Sequence, residues 1–147
     1  MINPSHIEPD KALATFLDGT ITVGADNQPV RVYSNWERPT NGLDTDFVTV
    51  YINGDISGVG LNNDFASGYL MVSLYCKMND DGSVKTNRVK KILEQFDAII
   101  DGLVTDGYYY DYPAQRFITP TTPNQSSGYS ITTLNMRWHT TNDFQTT

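Results

Sequence analysis

Alternating apolar and polar residues mark the middle of the chain as β-structure. Between positions 69 and 78 the odd positions carry tyrosine, methionine, serine and lysine. The even positions are Leu70, Val72, Leu74, Cys76 and Met78. A period of two places successive side chains on opposite faces of a sheet. We therefore expect the even-numbered side of this strand to face the core.

Further strands are predicted on both sides of this segment. Residues 47–52 alternate clearly, and Asn53-Gly54 after them predicts a tight turn because both residues tolerate positive φ. A weaker alternation over 20–33 and a longer one over 128–141 predict additional strands. One face of the last strand carries Leu134, Met136 and Trp138.

Two segments show helical spacing. The segment PDKALATFLDG (9–19) predicts a short helix, with Pro9 in its first turn and Gly19 as its stop. Its apolar side consists of Leu13, Phe16 and Leu17. Between 84 and 104, apolar residues recur at i, i+3, i+4 and i+7, which predicts one long helix that covers the sheet. This stripe consists of Val89, Ile92, Leu93, Phe96, Ile99, Ile100 and Leu103.

The order of these elements predicts an α+β fold. We expect a single, mostly antiparallel or mixed β-sheet, with the short N-terminal helix and the long helix packed on one face. A chain of 147 residues is expected to form one domain spanning 1–147. Within it, a flexible loop is predicted at about 120–128 and a frayed C-terminal tail at about 141–147.

Charge and hydropathy narrow the function classes. The net charge of −7 argues against a protein that wraps nucleic acid, because such proteins need a basic surface. No window approaches the ~18 apolar residues of a membrane span, and the N-terminus lacks the pattern of a secretion signal. We expect a soluble protein made in the cytoplasm.

The sequence predicts neither a metal site nor a cofactor. The two histidines, His6 and His139, lie at opposite ends of the chain without neighbouring ligands. The segment NDDGSV resembles a calcium loop, but the first and twelfth ligand positions would be Lys77 and Arg88, which are cationic. The single cysteine, Cys76, excludes an internal disulfide and is expected to be a small core residue.

An enzyme is not expected either. The chain contains no GxSxG motif, no P-loop and no dinucleotide fingerprint. Carboxylate pairs such as Asp80/Asp81 and Asp44/Asp46 occur in hydrophilic segments and are interpreted as parts of solvated loops rather than as acid–base pairs.

The long helix has an unusual distribution of charge. Its N-terminal half is basic and its C-terminal half acidic, whereas the helix dipole favours the opposite arrangement by roughly 0.3–1 kcal/mol per terminal charge. One interpretation is an ordinary solvated face. The other is a bipolar face through which neighbouring copies meet head to tail. The residues concerned are Lys85, Arg88, Lys90, Lys91, Glu94, Asp97 and Asp101.

The segment DGYYYDYP (106–113) holds four of the nine tyrosines. Alternation places Tyr108, Tyr110 and Tyr112 on one side of a strand and Tyr109 and Asp111 on the other. We expect one set to pack under the long helix and the other to lie at a subunit interface, where tyrosine is common. Plain core and surface packing and a small-ligand platform remain alternatives.

The chain contains, in order, the segments PVRVYSNWERP, DFVTVYINGD, YLMVSLYCK leading into RVKKILEQFDAII, DGYYYDY and GYSITTLNMRWHTT. In this order they resemble the small tail terminator (tail completion) proteins of long-tailed bacteriophages. More loosely, they resemble phage head–tail joining proteins. The resemblance covers nearly the whole chain as an order of elements, and its individual motifs are short.

This resemblance implies a virion protein of the tail or neck, assembled in the host cytoplasm. Its copies would form a homo-oligomeric ring, expected to be a hexamer, that caps the tail tube, ends its polymerisation and offers a head-joining surface. The implied partners are the tail tube protein and a head-completion or connector protein, with DNA only as passing cargo and no membrane. Candidate interface residues are Tyr109, Asp111, Lys85, Arg88, Lys90, Lys91, Asp97 and Asp101.

Two other functions remain open. The first is a head–tail connector or minor capsid joining protein, which would have a similar size and bind the portal side. The second belongs to another class, a carbohydrate- or peptide-binding module that uses Trp36 and the tyrosines around Tyr109.

Overall fold

A computed structural model describes residues 7–24, 26–34, 37–39, 45–59, 65–113, 118–124 and 127–141. His6, Trp36, Asp44 and the predicted tail beyond Thr141 lie outside these described residues.

The chain folds into two helices and nine strands within the described ranges. In order they are α1 (Pro9–Leu17), β1 (Thr22–Val23), β2 (Gln28–Pro29), β3 (Arg31–Ser34), β4 (Phe47–Val59), β5 (Phe65–Lys77), α2 (Thr86–Ile100), β6 (Leu103–Thr105), β7 (Tyr108–Asp111), β8 (Ile118–Asn124) and β9 (Tyr129–Thr140). β1 and β2 form a small separate antiparallel pair.

The other seven strands form one mixed sheet in the order β3-β4-β5-β9-β7-β6. β3 and β4 are parallel, and the remaining pairs are antiparallel. β8 pairs with the first half of β9, and β7 pairs with its last residues. The predicted α+β fold with a mixed sheet and two helices is confirmed.

Both helices contribute to one core on the even-numbered face of the sheet. α1 lies against β3 and β4, and α2 lies against β5 and β1. The even positions of β5 from Leu70 to Cys76 are buried, as predicted, and so are Met78 just after the strand and Leu134, Met136 and Trp138 of β9. Most of the predicted stripe of α2 also faces this core, but the helix predicted over 84–104 ends at Ile100, and Leu103 belongs to strand β6 instead. The fully buried members of the stripe are Val89, Ile92, Phe96 and Ile100.

Three further local predictions are wrong. Phe16 was placed on the apolar side of α1, but it is 43% exposed, and the helix instead buries Leu13 and Leu17. No hairpin turn forms at Asn53-Gly54, because β4 continues to Val59. Gly54, with φ of 82°, lies in a register shift between Asn53 and Ser57. It therefore shapes an irregularity within the strand, a role that a positive φ also suits.

The third difference concerns the loop predicted at about 120–128. Residues up to Asn124 belong to β8, which pairs with β9 across a register shift between Thr119 and Thr122. Pro120 and Pro123 cannot donate backbone hydrogen bonds, and such residues are tolerated in strands at a sheet edge or bulge. A hydrogen bond of 2.6 Å between the hydroxyls of Thr121 and Thr132 helps to attach the strand.

Two buried tyrosines tie the start of α1 to β7. The Tyr110 hydroxyl donates to the Pro9 carbonyl at 2.8 Å, and the Glu8 N–H donates to the Tyr108 hydroxyl at 2.8 Å. Both rings belong to the core, and Tyr108 also meets the Trp138 ring edge to face, with 5.9 Å between centroids. As predicted, one set of the tyrosine run packs inside, but its hydrogen bonds are to the start of the short helix α1 and not to the long helix.

These tyrosines should make the fold sensitive to alkali. Burial raises the pKa of Tyr108 from 10.0 to about 12 and also raises the pKa of Tyr110. The pKa of Tyr108 is higher in the folded protein than in the unfolded chain. The stability that this tyrosine contributes is therefore complete below pH 10 and is lost as the pH rises through about 12. Tyr108 alone should contribute roughly 2–3 kcal/mol to that loss.

Denaturant unfolding on either side of this pH range, with tyrosinate absorbance recorded in parallel, measures the effect. We expect the buried tyrosines to ionise together with unfolding. Ionisation of all nine tyrosines in one step near pH 10, with the fold intact, would contradict this prediction.

Candidate interaction surfaces

The odd-numbered face of the sheet is not covered by α1 or α2. Cross-strand register aligns its side chains in rows across β4, β5, β9 and β7. We call this surface the open face. Its exposed or half-buried residues are Tyr51, Asn53, Ser67, Tyr69, Met71, Tyr75, Tyr109, Asp111, Ile131, Thr133, Asn135, Arg137 and His139. Thr49 and Ser73 share this side of the sheet but are buried.

One end of the open face is closed by an aromatic cluster. Phe47 and Tyr75 stack with ring centroids 4.6 Å apart, and Tyr129 meets both edge to face. The Arg38 guanidinium lies 4.8 Å from each of the two stacked rings. This cation–π contact helps to leave Phe47 only 1% exposed, so this end is part of the packed structure.

The opposite end, which we call the tyrosine end, consists of Tyr69, Tyr109, Asp111, Arg137 and His139. Tyr109 stacks on His139 at 4.8 Å between centroids. Arg137 donates two hydrogen bonds to the Asp111 carboxylate, at 3.1 and 2.5 Å, which raise the pKa of the guanidinium. Tyr69 is 48% exposed. The tyrosine end therefore presents an amphipathic ring beside a fixed ion pair.

A polar pocket of about 390 Å³ lies at the tyrosine end, and its wall includes Asp55 and Ser57 of β4. Trp138 of β9 also lines the pocket, while its indole ring packs on the core side of the sheet. A Cβ atom on Gly68 would come within 3.0 Å of the indole nitrogen, so glycine is required for this close approach. The Trp138 Nε1–H is buried without a hydrogen-bond acceptor among the described residues. The pocket can bind a polar or aromatic group by stacking and hydrogen bonding.

Arg88, a predicted interface residue, forms an ion pair within the subunit. Its Nε donates to a carboxylate oxygen of Asp46, whose side chain is only 5% exposed. The same carboxylate accepts the Lys77 backbone N–H at 2.8 Å. The interpretation of Asp46 as a solvated loop residue is therefore wrong. This ion pair ties the first turns of α2 to the beginning of β4.

The acidic end of α2 is also engaged within the subunit. The Tyr112 hydroxyl donates to Asp97 at 2.5 Å, and the Tyr112 backbone N–H donates to Asp101 at 3.3 Å. These two donors offset the repulsion expected between like charges at i and i+4. Lys85 is half-buried at the N-cap of α2, whereas Lys90 and Lys91 are exposed.

The structure thus divides the predicted interface residues between two surfaces. Tyr109 and Asp111 lie together on the open face, and the charged residues of α2 lie on the side that carries the helices. Sequence reasoning did not select Arg137 and His139, which complete the tyrosine end. Their odd-numbered spacing in β9 is the signal that could have indicated them, since Trp138 between them faces the core.

A groove of about 360 Å³ lies between α2 and β8 on the helix-bearing side. Val84, Val89 and Leu93 form its apolar floor, while Thr86, Lys90, Glu94, Asp97 and Thr121 form its rim. We call this the α2–β8 groove. The lysine on its rim lies toward the start of α2, and the two carboxylates lie further along the helix.

The hairpin of β4 and β5 extends past its neighbouring strand. β9 pairs with β5 only between Ser67 and Lys77, and Thr140 of β9 hydrogen-bonds to Ala66 through its hydroxyl. The described residues 54–59 and Phe65 therefore form an arm with a strand neighbour on one side only. This hairpin arm exposes two large apolar side chains, Ile56 (41%) and Phe65 (37%). The carboxylate of Asp55 is exposed beside them.

In the part of the chain that the structure describes, no group of three His, Cys, Asp or Glu side chains could hold a metal ion. No helix in these ranges is long and apolar enough to cross a membrane. Cys76 is fully buried, as predicted, and burial raises the pKa of its thiol to about 12.

Comparison with known proteins gives one informative match. No protein family model and no curated protein sequence matches the chain. A solved structure known only by a sequence identifier, which states no function, is similar over 89% of this chain and 89% of its own, with a TM-score of 0.54. The two sequences are 13% identical. At this identity the likeness concerns the fold alone.

Proposed function

We propose that this chain is a structural virion protein that resembles phage tail terminators. Its copies form a ring, with six subunits expected, that caps the tail tube, ends tube polymerisation and provides the surface for head joining. In this role the protein assembles rather than catalyses and needs no cofactor. The tail tube protein and a head-completion or connector protein are its partners, and DNA passes through as cargo.

The observation that supports this proposal is the presence of two candidate interaction surfaces on opposite sides of one subunit. The tyrosine end lies on the open face, and the α2–β8 groove lies on the helix-bearing side. Unlike surfaces that meet head to tail generate a heterologous contact, and such contacts form a ring when the rotation between subunits closes.

The chemistry of the tyrosine end suits a protein interface. Tyrosine and arginine are enriched in interface cores, and Tyr69, Tyr109 and Arg137 lie side by side here. The ion pair between Asp111 and Arg137 supplies fixed charges that can orient a partner. The net charge of −7 is compatible with a pore that repels DNA phosphates instead of binding them.

A connector-side joining protein would use the same surfaces, and reconstitution with each partner ring separates the two roles. A carbohydrate- or peptide-binding module is the second candidate, favoured by the polar pocket beside Tyr69 and Asp111. In that case the exposed ring would stack on a ligand instead of on a neighbouring subunit.

Replacing Tyr109 with alanine tests the proposal. The variant should fold but associate at least about tenfold more weakly, because aromatic residues at interface centres commonly contribute more than 1 kcal/mol. Sedimentation across a concentration series measures the association. Tyr33→Ala is the matched control, since that half-buried ring lies in β3, at the other edge of the sheet.

Unchanged association of the Tyr109→Ala variant would remove support for the proposal. Loss of binding to a glycan or peptide array, with association intact, would favour the binding module.

A further inference from the structure

We propose that the hairpin arm of one copy binds in the α2–β8 groove of the next copy. This inference rests on the proposed function, because it identifies the two surfaces through which the copies of the ring would meet.

The apolar parts of the two surfaces are complementary. Ile56 projects from the arm with 41% of its surface exposed, and Phe65 with 37%. The floor of the groove is apolar and is formed by Val84, Val89 and Leu93. The groove itself has a volume of about 360 Å³. Insertion of an arm side chain would remove apolar surface from water on both partners, which favours association.

The charges beside these apolar groups are also complementary. Asp55 directly precedes Ile56, and Lys90 lies on the groove rim, one helical turn before Leu93. Neither Asp55 nor Lys90 has an ion-pair partner among the described residues. The rest of the rim carries Glu94 and Asp97, which would repel the arm carboxylate. Only one orientation therefore brings opposite charges together, and this fixes the direction of the arm in the groove.

A second copy of the chain is the occupant that fits both surfaces. The arm is next to the tyrosine end, since Asp55 and Ser57 line the pocket there. The arm and the tyrosine end thus form one continuous surface, and the groove belongs to the helix-bearing side. A contact between different parts of two copies is heterologous and can repeat from subunit to subunit.

Disulfide trapping tests this contact directly. The variants are Ile56→Cys, Thr86→Cys and the chain with both changes. Thr86 is an exposed rim residue at the start of α2, where a thiol is readily activated. The native Cys76 thiol should not form disulfides in this experiment, because its side chain is fully buried. A chain with Ile56→Cys and Val104→Cys is the matched control, since Val104 is 53% exposed but lies on β6, away from the groove.

We expect no covalent product from either single variant, dimers from their equimolar mixture, and a ladder of higher oligomers from the double variant. The control pair should give none of these. Dimers from a single variant would overturn the inference, because they require a contact between identical surfaces. Rings that form normally but yield no ladder would overturn the arm–groove contact and leave the proposed function intact. Failure of the unmodified chain to assemble or to cap tubes would instead contradict the proposed function.

Charge reversal provides a second test that does not depend on disulfide geometry. Asp55→Lys or Lys90→Asp alone should weaken association by about tenfold, because each places like charges together. The variant with both changes should recover association to near that of the unmodified chain. Equal weakening in the double variant would contradict a direct contact between these residues.

Discussion

Replacing Arg88 with alanine should lower the free energy of unfolding by about 3–5 kcal/mol. The change leaves the Asp46 carboxylate, which is 5% exposed, without its cation. A buried charge that loses its partner retains the cost of desolvation and no longer gains the compensating attraction. Equilibrium denaturation at concentrations at which the chain is monomeric measures this loss.

Lys91→Ala is the matched control for Arg88→Ala. Lys91 is a cation three residues further along the same helix, but its side chain is exposed. Its replacement should change the free energy of unfolding by no more than about 0.5 kcal/mol. Equal, small effects from both variants would mean that Arg88 is available to a neighbour, as the charge pattern of the helix first suggested.

Replacing Phe96 with alanine should destabilise the fold by about 3–5 kcal/mol, since it leaves a cavity where α2 meets the sheet. Phe96 is fully buried within the main hydrophobic cluster. Phe16→Ala makes the same chemical change on α1, where the ring is 43% exposed, and should cost less than about 1 kcal/mol.

Thermal and denaturant unfolding of the two phenylalanine variants compare these values. A loss for Phe16→Ala as large as that for Phe96→Ala would contradict the position of α1 described above. It would restore the amphipathic pattern originally predicted for that helix.

Strong periodicity explains why much of the fold could be predicted. β5 and α2 each bury a single regular stripe, so the spacing of their apolar residues identified both the element and its inner face. α1 has only nine residues, and its short pattern did not distinguish Phe16 from the buried Leu17. Most of β8 was predicted to be a loop because its two prolines are typical of loops. In the structure the segment pairs with β9 and forms an edge strand.

The candidate surfaces were only partly predictable for a related reason. Alternation alone placed Tyr109 and Asp111 on one side of β7. Their contacts with His139 and Arg137 depend on the register between β7 and β9, which lie far apart in sequence. The pair of Arg88 and Asp46 likewise joins residues 42 positions apart, and no local pattern reports it. Long-range register and ion pairing thus determine which charged residues remain available for a partner.

The most direct test of the proposed assembly is the molar mass of the purified chain. It is measured by light scattering across a concentration series, and the largest species is then imaged in negative stain. We expect closed rings of about six subunits with an open pore, the geometry that heterologous contacts produce when their rotation closes. A mass of one subunit at every concentration, together with tail tubes that continue to grow in the presence of the protein, would contradict it.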